Sequence, residues 1–231
     1  MRKIASLPAV LLLVLAAPLV ALAQPPSGPE RFESSIRRFE IEDETSRPPE
    51  GAIVLTGSSS IARWNDQAVE ALAPLTVIPR GFGGSVMSDV LHYLDRVALK
   101  YKPRALLIYE GDNDTWLSVP NGEILRQLEE IIARVHAELP GTRIYVLSVK
   151  PSVSRWSIWP VVLQLNRAYQ ELAERNPFVH YVDVATPFLD QNDDVRTDVF
   201  VSDDLHLNDR GNEIWGATIK AALMPHEIAY E

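Results

Sequence analysis

Near the end of the sequence, Asp203-Asp204-Leu205-His206 sets an aspartate three residues before a histidine. At that spacing a carboxylate can orient an imidazole, and an imidazole takes and returns protons near neutral pH. The pair suits a general base and the acid that holds it. Gly57-Ser58-Ser59-Ser60-Ile61, a small-residue turn leaving an apolar run, offers hydroxyls for such a base to activate. Between the two lie Gly81-Phe82-Gly83-Gly84-Ser85 and Gly111-Asp112-Asn113-Asp114, which also follow apolar runs. One serine, one glycine, one asparagine and one Asp/His pair, in that order, make up the parts of acyl-transfer chemistry divided into blocks.

Each block has a plain structural explanation when taken alone. A Gly-Ser-Ser-Ser turn caps helices, glycine clusters build loops, Gly-Asp-Asn-Asp builds tight turns, and an Asp/His pair can sit in a surface loop. Their joint order, each after a strand-like run, is what points to catalysis.

The elements that must position them are readable from periodicity. Residues 52–56, 76–79, 105–109, 144–149 and 179–184 are apolar runs, as in strands covered on both faces. Helical stripes alternate with them: Val90, Leu94, Val97 and Tyr101; Ile124, Leu128, Ile131, Val135 and Leu139; Val161, Leu165, Ala168 and Leu172; Ile214, Ala217 and Ala221. Strand–helix alternation predicts an α/β fold, a three-layer α/β/α sandwich around a central, mostly parallel five-stranded sheet. Ser59, Gly84 and Asn113 then each lie beyond the carboxyl end of a strand, where open α/β sheets bind ligands. The Asp203–His206 segment follows the fifth strand and reaches the same edge.

The four blocks resemble those of the SGNH hydrolases, the GDSL-type esterases and lipases, and span Gly57 to His206. The resemblance implies a flavodoxin-like sandwich with Ser59 as nucleophile. It further implies Asp203 and His206 as the rest of a triad, and Ser59, Gly84 and Asn113 as oxyanion donors. One departure is visible: the usual Gly-Asp-Ser-Leu reads Gly57-Ser58-Ser59-Ser60, with a serine at the aspartate position. The chemistry is consistent on its own terms. His206 would take the hydroxyl proton and Asp203 would hold the ring's tautomer. Each oxyanion donor would lower the barrier by about 3–4 kcal/mol. Ser59 is also expected to open a helix whose N-terminal dipole favours the developing anion.

The 231 residues suffice for one substantial core. A net charge of −9 argues against a nucleic-acid partner on electrostatic grounds, and none is expected. The absence of cysteine removes disulfides, thiol catalysis, Cys-ligated zinc and a lipoprotein anchor. Arg2 and Lys3, an apolar stretch over residues 4–22 and Ala21-Leu22-Ala23 before Gln24 predict a signal peptide over residues 1–23, hence a secreted or periplasmic protein. An uncleaved membrane anchor is the rival reading; after cleavage no stable membrane insertion is expected. Residues 24–50 read as a Pro-rich linker and an amphipathic helix over residues 30–44, with Phe32, Ile36, Phe39 and Ile41 inward. Residues 51–231 form the esterase domain.

Other candidates are weaker. His92 and His136 fall in helical stretches as surface residues, His180 in a strand, and His226 in the tail without a second histidine to complete a zinc motif. Asp190, Asn192 and Asp194 imitate a calcium loop, but Val195 and Val201 occupy its glycine and glutamate positions. No Gly-x-Ser-x-Gly elbow marks an α/β-hydrolase. No metal or other cofactor is implied.

Lys150, Arg155 and Trp156 follow the fourth strand and Trp116 follows Asn113, so these four are candidates to line the substrate site. A tryptophan there stacks on a sugar, walls an acyl pocket, or packs in the core. Without a long lid insertion, short acyl esters such as acetyl groups on carbohydrate are expected, with a small-molecule or glycan ester as partner. A lysophospholipase or thioesterase on the same triad, and a silent ligand-binding protein on the same fold, are the alternatives.

Overall fold

Short runs of branched aliphatic residues become strands here because both of their faces are covered. The computed structural model describes residues 28–231, so the expected signal peptide and its cleavage site lie outside the described residues. A 3-10 turn, Pro29–Phe32, leads into α1, Glu33–Thr45. Then follow β1, Ile53–Gly57; α2, Ser59–Ala62; α3, Asn65–Leu72; β2, Val77–Gly81; and α4, Met87–Val97. The second half contains β3, Ala105–Tyr109; α5, Asp112–Trp116; α6, Asn121–Glu138; β4, Arg143–Leu147; α7, Trp159–Arg175; β5, Val179–Val182; and α8, Asp209–Glu227.

The strands form one all-parallel sheet in the order β2-β1-β3-β4-β5, the doubly wound arrangement with its switch point beside β1 and β3. Alternate strand residues serve opposite layers. Val54, Leu106, Ile108, Ile144 and Val146 pack under α1, α4, α6 and α7, while Ile53, Leu55, Leu107, Tyr145 and Leu147 pack under α2, α3 and α8. This is the expected three-layer sandwich. Pro79 sits inside β2, an edge strand, where a missing N–H is tolerated.

Register matters more than length for the site. Gly57 lies opposite Gly81 on one side and Tyr109 on the other. The chain therefore leaves β1, β2 and β3 at one level, and the three loops after them start side by side.

Three expected faces differ. Phe32 at the end of the 3-10 turn and Ile36 and Phe39 in α1 are buried as expected, but Ile41 is exposed. It falls two residues after Phe39, about 200° around the helix. In α7, Val161 faces solvent and Ala168 is only half-buried; Trp159, Val162, Tyr169 and Leu172 carry the inner face with Leu165. In α8, Ala217 and Ala221 are exposed while Gly211, Trp215, Gly216, Ile219 and Leu223 face inward. Trp215 and Ile219 bury more apolar area than the alanines, so they set the phase. Among the described residues, no helix is long and apolar enough to cross a membrane.

Candidate active site

The turn after β1 can be made only with glycine at its first position. Gly57 has φ +131°, and a Cβ there would lie 2.2 Å from the Tyr109 carbonyl oxygen. Ser58 N–H donates to that same carbonyl at 3.1 Å, and Phe82 N–H donates to the Gly57 carbonyl at 2.9 Å. The loops after β1, β2 and β3 are thus tied at their roots. Ser58 is 1% exposed and Ser60 8% exposed, whereas Ser59 opens onto a groove. The helix that Ser59 begins has only four residues, followed by Arg63 and Trp64 before α3. The expected helix dipole is therefore slight, and individual N–H groups must supply the field. The Ser59 and Gly84 N–H groups have no acceptor among the described residues. Gly84 has φ +89°, which favours glycine where backbone borders a groove.

Asn113 lies on the first turn of α5. Its Nδ2 donates to Ser58 Oγ at 2.6 Å and to the Ser85 carbonyl at 2.9 Å. Asp114 beside it accepts from Met87 N at 2.9 Å and from Gly111 N at 3.0 Å, and burial pushes its carboxyl up to about 6. Glu110, wholly buried, accepts a hydrogen bond from Ser85 Oγ at 2.5 Å; burial, then the nearby Asp114 charge, raises its carboxyl well above the usual range. These two acids support the loops from below.

The Asp203–His206 segment is a closed loop. Val201 N donates to the His206 carbonyl at 2.8 Å and Asp204 N to the Val201 carbonyl at 3.0 Å, with Asp204 at φ +57°. Asp203 Oδ2 lies 2.6 Å from His206 Nδ1, and Oδ1 accepts from the backbone N–H groups of Leu205 at 3.0 Å and His206 at 2.9 Å. The His206 backbone bond is the largest cause holding the Asp203 carboxyl well below the usual range; the imidazole and the Leu205 N–H add to it. With Nδ1 on Asp203, His206 has Nε2 left for other chemistry.

Ser59, Gly84, Asn113, Arg155 and His206 line one open groove of about 350 Å³. No hydrogen bond joins the Ser59 hydroxyl to the His206 ring among the described residues, and such contacts commonly tighten only when substrate arrives. A larger hollow of about 530 Å³ near α1 and α3, lined in part by Arg38, Phe39, Asn65 and Arg80, gathers no nucleophile beside a base. Among the described residues no cluster of three His, Cys, Asp or Glu suits a metal ion.

The candidate lining residues divide. Arg155 is in the groove. Lys150 is not: it is 2% exposed, and its Nζ donates to the Leu205 carbonyl at 2.8 Å. Together with the bond from Ser154 N to the Asp204 carbonyl at 3.1 Å, it ties the loop after β4 to the histidine loop. Trp116 is 49% exposed, not core, with the Arg155 guanidinium 5.4 Å from its ring centre. Trp156 is half-buried and stacks on Trp159 at 5.8 Å. Sequence reasoning missed Arg63, which borders the groove and reaches within 3.9 Å of Asp203 Oδ2. It lies four residues after Ser59, one helical turn on, and that spacing was the available signal.

Residues 47–214 match the GDSL-like lipase/acylhydrolase family. The chain belongs to that family. As a GDSL-like acylhydrolase it is a hydrolase of ester bonds, with small-molecule esters as its substrate class. Among solved structures, one from Streptococcus pneumonia described as a platelet activating factor is 26% identical, with a TM-score of 0.73 over 83% of this chain and 92% of the other. A GDSL-like lipase from Bacteroides thetaiotaomicron is 19% identical, with a TM-score of 0.70 over 82% of this chain and 97% of the other. An acetylxylan esterase from Geobacillus stearothermophilus is 13% identical, with a TM-score of 0.62 over 76% and 95% respectively. The last two are likenesses of fold. No curated protein matches this GDSL-like hydrolase.

Proposed function

We propose that this GDSL-like hydrolase is a secreted serine esterase acting on short acyl esters, such as acetyl groups on carbohydrate, through Ser59, His206 and Asp203. One observation carries the reading: Ser59 and His206 border the same groove, and Asp203 holds the far nitrogen of the imidazole at 2.6 Å. Ser59 Oγ attacks the ester carbonyl while His206 Nε2 takes the hydroxyl proton. The carbonyl oxygen becomes an oxyanion facing the N–H groups of Ser59 and Gly84 and the Asn113 amide. Collapse breaks the ester C–O bond, and the departing alcohol takes the proton from His206. A water molecule, deprotonated by the same ring, then releases the acid and restores Ser59.

The short-acyl preference rests on the groove's openness and modest volume, which leave a long chain largely in water. Secretion rests on the composition of residues 1–23. The neighbouring acetylxylan esterase adds only that this fold accommodates deacetylation of a polysaccharide.

Ser59→Ala, assayed on p-nitrophenyl acetate beside Ser58→Ala and Ser60→Ala, tests the assignment. Ser59→Ala should lower kcat by about 10⁴-fold or more with unchanged circular dichroism, and the other two should keep measurable turnover. Full activity in Ser59→Ala ends the proposed mechanism. A chain-length series of p-nitrophenyl esters peaking at long acyl groups ends the short-acyl reading, and retention of residues 1–23 on the exported protein ends the cleaved-leader reading.

A further inference from the structure

Catalysis by Asn113 requires its amide to point one way. If its two ends were exchanged, a carbonyl oxygen would face the developing oxyanion and repel it. Both ends of the amide are engaged. Nδ2 donates to Ser85 O and Ser58 Oγ, and Oδ1 accepts from Arg155 Nη2 at 3.0 Å. Arg155 is itself fixed by Nη1, which donates to Asp112 Oδ1 at 2.7 Å, and both of these side chains are largely withdrawn from water. We infer that Arg155 is a positioning residue that clamps the Asn113 amide in its donor orientation, acting through Asn113 and not on the substrate. The inference rests on the esterase reading above.

The geometry gives two reasons that a guanidinium is used. Its planar fork spans the carboxylate of Asp112 and the amide oxygen of Asn113, adjacent residues on one turn, from a single rigid group. An ammonium on a flexible stem offers no such fork. The positive charge at Oδ1 also polarises the amide, making its N–H a better donor to an anion. Both Nδ2 hydrogens already have acceptors, so an oxyanion must take one in place of Ser58 Oγ. That oxygen belongs to a hydroxyl that can rotate and give up its role as acceptor. Nothing comparable can release Oδ1, because the guanidinium has donors and no acceptor.

The test uses Arg155→Ala, Arg155→Lys, Asn113→Ala and the Arg155→Ala/Asn113→Ala pair on p-nitrophenyl acetate. Arg155→Ala should lower kcat by about 10- to 100-fold with KM changed less than about two-fold. Lysine should restore little of it. The pair should be no slower than Asn113→Ala alone, since a clamp has no effect once the amide is gone. Losses that multiply in the pair, or a raised KM at unchanged kcat, would show that Arg155 acts on substrate and overturn the inference. A second readout does not depend on turnover. The side-chain NH₂ signals of Asn113, assigned by their loss in Asn113→Ala, should exchange with water at least about ten-fold faster in Arg155→Ala. Unchanged exchange rejects the clamp even if Ser59→Ala disproves the mechanism, so the two failures can be told apart.

Discussion

Ser58, Ser59 and Ser60 share one functional group and differ in where the backbone sends it. Ser58 turns inward to receive the Asn113 amide, Ser60 is buried, and Ser59 alone borders the groove. Three adjacent hydroxyls thus have separate roles because β1 ends on a glycine that no side chain could replace. The Asp203–His206 pair is specified with similar economy. Asp203 spends one oxygen on two backbone N–H groups and the other on the imidazole, so its position is fixed before any proton moves. Those contacts hold its carboxyl well below the usual range. A carboxyl lowered in the folded state contributes stability above its unfolded value and loses that contribution only as the pH falls through the lowered one. Asp203 should therefore stay ionised well below the usual carboxylate range and add no second proton to the acid limb of the rate profile. The acid side of the kcat/KM profile on p-nitrophenyl acetate should follow a single protonation, and a two-proton slope would contradict this assignment. Asp203→Asn should lower kcat by about 10³–10⁴-fold, because Nδ1 then loses the acceptor that fixes the tautomer.

Elements carry the site through contacts that spacing in the sequence cannot display. The strand runs were legible because parallel strands buried on both faces must be apolar throughout, and β3 spans residues 105–109 as its composition requires. The four blocks were legible because each follows such a run. The inner face of α8 was not. Gly211, Gly216 and Trp215 hold it, and a glycine gives no hydrophobic signal; a Cβ on Gly216 would stand 3.1 Å from the Trp64 ring. Lys150 was misplaced for a related reason, since sequence shows that a lysine follows β4 but not that it points beneath the histidine loop. Its single bond to the Leu205 carbonyl sets a test. Lys150→Met keeps length and burial but removes the donor. It should lower kcat by about 10- to 100-fold, the effect of small misplacements, with Tm unchanged or higher because a buried ammonium is gone. Full activity would show that the loop holds itself. Glu110 at the end of β3 answers to pH instead. Its carboxyl is raised in the fold above the ordinary 4.5, so the folded chain keeps a proton that the unfolded chain releases, and stability declines as pH rises past 4.5. Glu110→Gln retains an acceptor for Ser85 Oγ and cannot ionise. Its Tm should exceed wild type by several degrees at pH 8 and by little at pH 5. A difference independent of pH would mean that Glu110 is not a neutral acid.

The molecule separates its chemistry from its fastening. The proposed catalytic groups gather at the carboxyl ends of the strands, and a buried ion cluster holds the amino ends. Glu227, from the last turn of α8, is fully buried. Its Oε1 accepts from Arg143 Nε at 2.6 Å and Tyr145 OH at 2.7 Å; its Oε2 accepts from Arg143 Nη2 at 2.8 Å and Arg104 Nε at 3.1 Å. Burial alone would raise this carboxyl, but the hydrogen bonds from Arg143, Tyr145 and Arg104 outweigh it and leave it lowered. The cluster joins α8 to β4 and to Arg104, the residue before β3, far along the chain, and α8 follows directly on the histidine loop. An ion cluster of this kind adds little relative to a well-packed apolar core, yet breaking it strands charges without partners, at about 3–5 kcal/mol. Glu227→Gln should therefore lower Tm by roughly 6–20 °C at pH 7. The deficit should shrink as pH falls below 4.5, because the stabilisation from a lowered carboxyl is lost on that side. Below the transition, kcat per folded molecule should match wild type, since the substitution lies at the opposite edge of the sheet from Ser59. A variant with normal Tm and impaired kcat would mean that the two edges are coupled through α8, and that the histidine loop depends on the far end of the helix that follows it.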